Sequence, residues 1–598
     1  MSDIILSSIA AQQRVMQTIS NNVANASNPD YTEKTVSLVT NTIGGVSYGV
    51  TALPEVRNAE PLRTEAVRLQ SIEVSYLETL VDVYDSIQLK LGQPGDQASL
   101  GSRMAAIKTT LSTLEDAPAT PGHQRGVLAK LDETVKYINK LGDFFQNERF
   151  IAEDGLEDAV DNVNRILKSL DRINNDISLA YGRGETIGSL QDKQDAHLKE
   201  LSQYMDIQVM RRDSMNLDVT TNTGQALLLR TGVAELSFSK ATSVGPADTP
   251  ATLGKITING VDVTTSISSG KIGAFLKARD VILPGMQAEL DEFTEKFRDQ
   301  MNAIHNQGSG FPVPAVLTGT RTFATPGVTT MQMDGVVRVG IVDNTTGNYI
   351  KAPLDLDLTA APQTINAVVA TINGYLGVDG TATLNADGQL VITATNANQG
   401  VAMVSMTDPE AKQTVAGSGN NLGFSHYFGL NDLFTTGTRF IDDGVAGKVG
   451  LTQSLDIRAD IKATPAFLSR AMASTEPFPT HPNAIRPGDG RIVTKMIVAF
   501  DQALAFSAAG PMGARSESLL NYANSIWHNA AVDSKNNKSL YEVQNTILEE
   551  NETELISRTR VNMQSQIAQL MEAQRIYAAS TTLLKANKEM LQQLMAAV

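Results

Sequence analysis

Apolar residues near the N-terminus recur at alternating steps of four and three. The positions are Ile5, Ile9, Gln12, Met16, Ile19, Val23 and Ala26, all apolar except Gln12. Such spacing draws one stripe along an α-helix, the pattern of a paired helix. A helix this short is not stable alone in water, so the stripe needs a partner. The other end of the chain supplies one. Met563, Ile567, Leu570, Gln574, Tyr577, Thr581, Leu584, Lys588, Leu591 and Met595 repeat the same steps, and 561–598 contains no Gly or Pro. This segment predicts a helix of about ten turns. Two such stripes predict that the termini meet as a coiled-coil-like pair. A core helix docked on a globular domain would carry the same stripe, so the pattern alone leaves both readings open.

Between the ends the period changes twice. Leu62, Ala66, Leu69, Tyr76, Leu80, Val83 and Ile87 share a helical face over 61–91, which Gly-Gln-Pro-Gly-Asp at 92–96 terminates. Helical patterns also fit 99–116, 124–148, 153–181 and 188–205. From 207 to 239 β-branched runs alternate with Gly, Thr and Asn, and the Asn259-Gly260 pair inside 255–263 reads as a hairpin turn. Helix returns over 271–306, with Pro284 expected to kink it. Residues 311–470 are rich in Thr, Gly, Ala and Val, with strand-like runs at 335–343 and 388–395 and a short helix near 364–376. Helix resumes after about 490.

The predicted fold class is therefore α+β and multidomain. A terminal helical assembly domain comprises 1–35 with 560–598. A helical middle domain comprises 36–206 with 270–310 and 485–559. The β-rich material lies at 207–269 and in one or two outer domains at 311–484. A domain inserted between two helical arms belongs on a stalk whose two ends run together.

Composition narrows the function. The chain has 598 residues, 42% of them hydrophobic, enough for sizeable cores and too many for a disordered chain. Its formal net charge of −16 argues against nucleic acid or an anionic membrane as the main partner. Cysteine is absent, which removes disulfides, thiolate nucleophiles and Cys-ligated metals together. The N-terminus lacks the basic region and long apolar core of a cleaved signal peptide, and no apolar run is long enough to span a bilayer. The open readings are a cytosolic protein and one exported without a cleaved signal.

No catalytic, cofactor or metal constellation emerges. The six histidines, His123, His197, His305, His426, His481 and His528, form no H-x-x-x-H pair and read as surface or cap residues. Asp355 and Asp357 alternate like strand residues and lack the glycine turn and closing glutamate of a calcium loop. The glycine-rich stretch 417–423 lacks the Gly-Lys-Ser/Thr ending of a phosphate loop, and G-x-S-x-G does not occur. Two classes of function stand at this point. One is a structural subunit assembling through its terminal helices; the other is a secreted enzyme or adhesin using the β-rich insert.

The stretch "SNNVANASNPDY" at 20–31 tips the balance. Asn21, Asn22, Val23, Ala24, Asn25, Pro29 and Tyr31 match the N-terminal signature that this chain resembles, that of the bacterial flagellar rod, hook and hook-associated axial proteins. Asp30 stands at the usual glycine position. Val561, Asn562, Ile567, Leu570, Gln574, Tyr577, Ala579, Met590 and Leu591 resemble the family's closing helix, with Gln564, Ser565 and Gln566 in place of its acidic run. Interior blocks resemble the hook-associated protein 1 branch. One is 192–209, where Gln194 replaces an arginine. Another is 269–308, with Gly273, Arg279, Asp280, Leu283, Pro284, Leu290, Asp291, Asn302, His305 and Gly308, and a third is 427–438. Other axial subunits, the hook protein among them, share the ends but not these blocks.

The resemblance implies a structural, non-enzymatic subunit without cofactor, secreted through the flagellar type III apparatus and built into the hook–filament junction. The partners it implies are copies of itself in an axial tube, the hook protein, the adjoining hook-associated protein or filament, and an export chaperone on the C-terminal helix. It does not imply nucleic acid or membrane. The residues expected at the assembly interface are Ile5, Ile9, Met16, Ile19, Val23, Met563, Ile567, Leu570, Tyr577, Leu584 and Leu591. The asparagines of the signature are expected to satisfy backbone groups where the first helix ends, and Pro29 to bar its continuation.

Overall fold

The computed structural model describes residues 2–43, 46–96, 98–212, 215–408, 410–415, 421–436 and 448–596. Gly417–Asn420 of the glycine-rich stretch lie outside them. The chain opens with helix α1 (Ser2–Ala24). Four short strands follow: β1 (Lys34–Thr35), β2 (Leu38–Ile43), β3 (Val46–Ala52) and β4 (Val56–Arg57). Here 36–57 departs from the helical middle expected of it. β2 and β3 form an antiparallel ribbon, and β1 pairs with β4 beneath it. The physical reason is local: Val, Thr, Ile and Tyr fill both runs around Gly44-Gly45, so strand propensity and a hairpin break coincide.

The helical body is built from α2 (Pro61–Leu91), α3 (Leu100–Asp116), α4 (Pro121–Gly182) and α5 (Gly188–Ser202). After the β-rich segment come α6 (Gly270–Lys277) and α7 (Leu283–His305). The two helices predicted at 124–148 and 153–181 are one helix, α4, of 62 residues, about 90 Å long at 1.5 Å per residue. At the join between them the polar residues Arg149 and Glu153 are buried and satisfied. Arg149 donates to the carbonyls of Gly245, Asp248 and Arg279, and Glu153 accepts from Arg279 at 2.5 Å. Buried polar groups with full partners do not stop a helix. The expected break at Pro284 is a π-helical turn, Ala278–Ile282, after which the Leu283 N–H reaches back to the Ala278 carbonyl. This wider turn precedes a residue that has no N–H to give.

α4 spans two cores. Its first half, with Val127, Leu131, Ile138 and Phe145, packs with α2, α3 and α7. Its second half, with Leu156, Val163, Leu167 and Leu170, packs with α5, α6 and the strands between 207 and 263. A third core lies in the outer insert. There the strand Val336–Asp343 sits between Leu354–Asp357 and Gln399–Ser405, and Gln389–Ala394 sits between Val316–Thr322 and Gly380–Leu384. Both three-stranded sheets and α8 (Ile365–Leu376) feed one hydrophobic cluster. The stretch α9 (Phe424–Phe428), α10 (Leu451–Ser454) and α11 (Ala459–Ala463) is where the expected outer boundary moves. Leu433, Phe434, Leu455, Ile457, Ile461 and Leu468 pack into the body core, not the outer one.

Two histidines are not on the surface. His305 and His426 are buried. His305 Nδ1 lies 2.6 Å from the Asn431 carbonyl, and its Nε2 accepts from the Ser469 N–H at 2.8 Å. The ring is thus a neutral pin between α7 and the returning chain. Burial lowers its pKa to about 4. Finally, α12 (Arg491–Ala499) leads through a two-stranded hairpin to α13 (Leu519–Thr559) and α14 (Met563–Ala596). α13 runs antiparallel along α2, and α14 along α1.

Two glycines of α4 give opposite expectations. A Cβ on Gly155 would sit 2.6 Å from the Phe275 ring, whereas one on Gly126 meets nothing within 4 Å. Gly126→Ala should therefore stabilise by about 0.5–1 kcal/mol, the ordinary helical gain. Gly155→Ala should lower the denaturation midpoint by about 1–3 kcal/mol, the usual cost of overpacking. Equal effects in urea titrations would contradict the close α4–α6 approach.

Candidate functional site: the junction of the terminal helices

The two ends of the chain meet the body at one buried polar centre, and Asn22 is its hub. This side chain is fully buried. Its Nδ2 donates to the Lys34 carbonyl at 2.8 Å and to Gln566 Oε1 at 2.9 Å. Its Oδ1 accepts from the Tyr31 hydroxyl at 2.9 Å and from the Lys34 N–H at 3.1 Å. Two donors and two acceptor positions are the whole capacity of an amide, and all four are used. The pair of bonds to Lys34 copies what a neighbouring strand would offer, so the amide stands in for a peptide unit at the start of β1. Gln566 then passes the link to Glu33, whose Oε1 it bonds at 2.7 Å. The Glu33 N–H reaches the Thr559 carbonyl at 2.8 Å. One side chain thereby ties α1, the connector, α14 and the end of α13.

Below this hub lies an ion cluster. Lys34 Nζ is 2.7 Å from Asp192 on α5 and 3.5 Å from the Tyr31 ring centroid. Arg57 of β4 bonds Asp192 at 2.9 Å and also pairs with Asp195. Arg211 meets Asp195 at 2.5 Å. Thr32 bonds Asp192 through its hydroxyl and its N–H. Burial pulls the Lys34 ammonium below the usual lysine range, against the opposing pull of Asp192. Burial likewise pushes Tyr31 up to about 12. Gly188, opening α5, leaves the room that the lysine stem takes; a Cβ there would lie 2.9 Å from Lys34 Cε.

The other signature residues play smaller parts. Asn21, Ala24 and Pro29 are exposed. The Asn25 side chain and N–H both bond the Asn21 carbonyl, closing the last turn of α1. Asp30 does not adopt a left-handed backbone. Its N–H bonds Asn28 Oδ1 at 3.2 Å, so an asparagine turn does the work expected of the missing glycine.

The seam between α1 and α14 is polar as well as apolar. Gln13 donates to the Tyr577 hydroxyl at 3.4 Å, Ser8 and Ser580 lie 3.4 Å apart, and Asn587 donates to Ser2 at 2.9 Å. The α14 side of the seam consists of Gln566, Leu570, Ala573, Tyr577, Ser580, Leu584 and Asn587. Three of the expected α14 positions, Leu570, Tyr577 and Leu584, lie in it, whereas Met563, Ile567 and Leu591 are exposed. On α1, Ile19 is buried and Ile5, Ile9, Met16 and Val23 are half-buried. Other large apolar residues of α14 are open too: Met571, Leu583, Leu594 and Met595 are 58–81% exposed.

This arrangement joins a helical body whose sequence has known relatives. Residues 86–312 match the family described as the flagellar hook-associated protein FlgK helical domain. The chain is 22% identical over 311 residues to flagellar hook-associated protein 1 of Escherichia coli, covering 51% of this chain and 56% of that protein. It is 23% identical over 337 residues to the protein of the same name from Bacillus subtilis, covering 50% of this chain and 66% of that one. The chain thus matches between about half and two thirds of the length of these curated relatives. A solved structure of the flagellar hook junction protein FlgK from Burkholderia pseudomallei aligns with 81% of this chain at 14% identity and a TM-score of 0.45. The resemblance read from the interior blocks therefore agrees with the family and with both relatives. The matched span 86–312 contributes Asp192, Asp195 and Arg211 to the junction; Asn22, Lys34, Arg57 and Gln566 come from outside it.

Sequence reading named Asn22 and Tyr31, and Gln566 only as a departure from the family's acidic run, but not Lys34 or Arg57. The visible signal for these two was the Asp192–Asp195 spacing, which puts two carboxylates on one helical face with no basic partner at i+4 of Asp192.

Two outcomes test the junction. Asn22→Ala leaves the Lys34 backbone, the Tyr31 hydroxyl and Gln566 unpartnered, and should cost about 2–4 kcal/mol locally. Amide exchange at Lys34 should then accelerate while the helical body keeps its protection. Asp192→Ala strands a buried ammonium and should cost about 3–5 kcal/mol in chemical denaturation; a loss under 1 kcal/mol would mean the cluster is not buried in solution.

Proposed function

We propose that this chain is a structural axial subunit of the bacterial flagellum that serves as the hook–filament junction adaptor and assembles through its terminal helices into a helical tube. The observation that carries this reading is the set of large apolar side chains left exposed on α14. Hydrogen bonds along the seam fix the two helices against each other, while these side chains stay uncovered. A monomer gains nothing from exposed Ile, Leu and Met. Neighbouring copies would bury them. A heterologous contact whose rotation does not close on itself builds a tube rather than a sealed oligomer. The match to hook-associated relatives supports the same reading.

On this reading the interface residues are the exposed Met563, Ile567 and Leu591. Ile5, Ile9, Met16, Ile19, Val23, Leu570, Tyr577 and Leu584 fix the pair that presents them. The partners are other copies of this chain, the hook protein on one side and the adjoining hook-associated protein or filament on the other. The subunit is secreted through the flagellar type III apparatus, and an export chaperone holds the exposed apolar residues of α14 before assembly. No enzymatic step is assigned. Among the described residues, no helix is long and apolar enough to cross a membrane.

The combined change Ile567→Glu and Leu583→Glu places charges on two exposed apolar positions of α14. The free subunit should keep its helical circular dichroism and melting temperature, while cells carrying the variant lose filaments and export unassembled flagellin. Normal motility would overturn this reading of α14.

A further inference from the structure

Glu289 stands on α7 where that helix packs against α13 and α2. It is fully buried, and neither carboxylate oxygen has a hydrogen-bond partner. On α13 the hydroxyl of Tyr522 is likewise buried and unpartnered. The surroundings are aromatic: Tyr522 stacks on Phe506 at 3.9 Å and on Phe293 at 6.5 Å between centroids.

The charged and titratable groups around the site do not compensate it. Arg515 acts on the carboxyl from the closing hairpin, but its guanidinium is bonded to Glu517 and to the Gly513 carbonyl. Asp533 on α13 repels it. Tyr84 of α2 is drawn to Asp533. Glu292, one turn along α7, is committed to Lys448 and the Ser507 N–H. The Met512 N–H, which also acts on the carboxyl, is bonded to the Ala509 carbonyl at 3.0 Å.

An ionised carboxylate without donors is costly in such a place, whereas a neutral acid is tolerated and brings a donor of its own. We propose that Glu289 is carried as a neutral carboxylic acid in the folded protein and that its ionisation loosens the anchorage of α13 on the body. The location gives this consequence. The buried side chains of α13 are Leu519, Tyr522, Ala523, Ile526, Ala530 and Ser534, all in its first half; past Ser534 only Thr559 is buried, and the helix is tied there by polar contacts such as Gln70–Gln544 and Lys199–Glu552. Its far end continues into α14, so a loosened anchor reaches the terminal pair.

Burial pushes the Glu289 carboxyl up to about 8. The folded value lies above the unfolded one, so the folded state holds a proton that the unfolded chain has released. Stability from this group falls as pH rises between the two values and reaches its floor above the folded one. The unfolding equilibrium constant should rise about tenfold per pH unit between roughly pH 6 and 8 from this group alone.

The test uses the full chain. Unfolding by urea is followed from about pH 6 to 9 for the wild type and for Glu289→Gln, which keeps shape and neutrality. The expected result is a fall in wild-type stability over this range that the Gln variant lacks, with a protonated-carboxyl infrared band at pH 6 that the variant also lacks. An identical alkaline fall in the variant, or no such band in the wild type, overturns the proposal. Should Glu289→Gln fail to fold, Glu289→Met with the wild-type infrared titration decides between the same two outcomes.

Discussion

A single buried amide that uses all four of its hydrogen-bonding positions sets the geometry of this protein's ends. Asn22 faces the Lys34 peptide unit on one side and Gln566 and Tyr31 on the others. Because none of these groups can reach water, each depends on the others being in place. The first helix cannot leave the connector, nor the last helix the first, without stranding several polar groups. The ion cluster of Lys34, Arg57, Asp192 and Asp195 adds the body to this arrangement. A buried cluster of this kind contributes placement more than stability, since desolvation offsets much of its Coulombic gain.

The seam of the terminal pair mixes polar and apolar groups, and further apolar side chains of α14 stay exposed. Hydrogen bonds are directional, so the polar members of the seam fix rotation about the helix axes. Apolar contact is not directional and would accept several rotations. Fixing the rotation with polar contacts gives the exposed apolar side chains of α14 defined positions. The long helix α4 serves the same end from within: it shares two hydrophobic cores and carries the α5 carboxylates to the base of the pair.

Much of the helical architecture was legible because its signals are local. The α2 stripe, the short helix at 365–376 and the hairpin at Asn259-Gly260 follow from periodicity and turn chemistry. The 62-residue span of α4 was not legible, because Arg149 and Glu153 look like a break until their partners, distant in sequence, are known. The β2–β3 ribbon was lost inside a region assigned to helix, although its residues favour strand. The phase of α14 was half legible. Both stripes have heptad spacing, and the expected one ran through Ile567, Gln574 and Thr581, while the helix turned Gln566, Ala573 and Ser580 inward instead.

By itself the sequence determined the helical ends, the α+β order, the absence of thiol chemistry and the asparagine-rich signature with its family resemblance. These depend on residues close along the chain or on composition. Only the tertiary structure decided which asparagine matters, which side of α14 faces α1, and that Lys34 and Arg57 meet Asp192 across more than 130 residues. A hydrogen bond between distant residues leaves no periodic trace, because its energy depends on geometry that the whole fold must first supply.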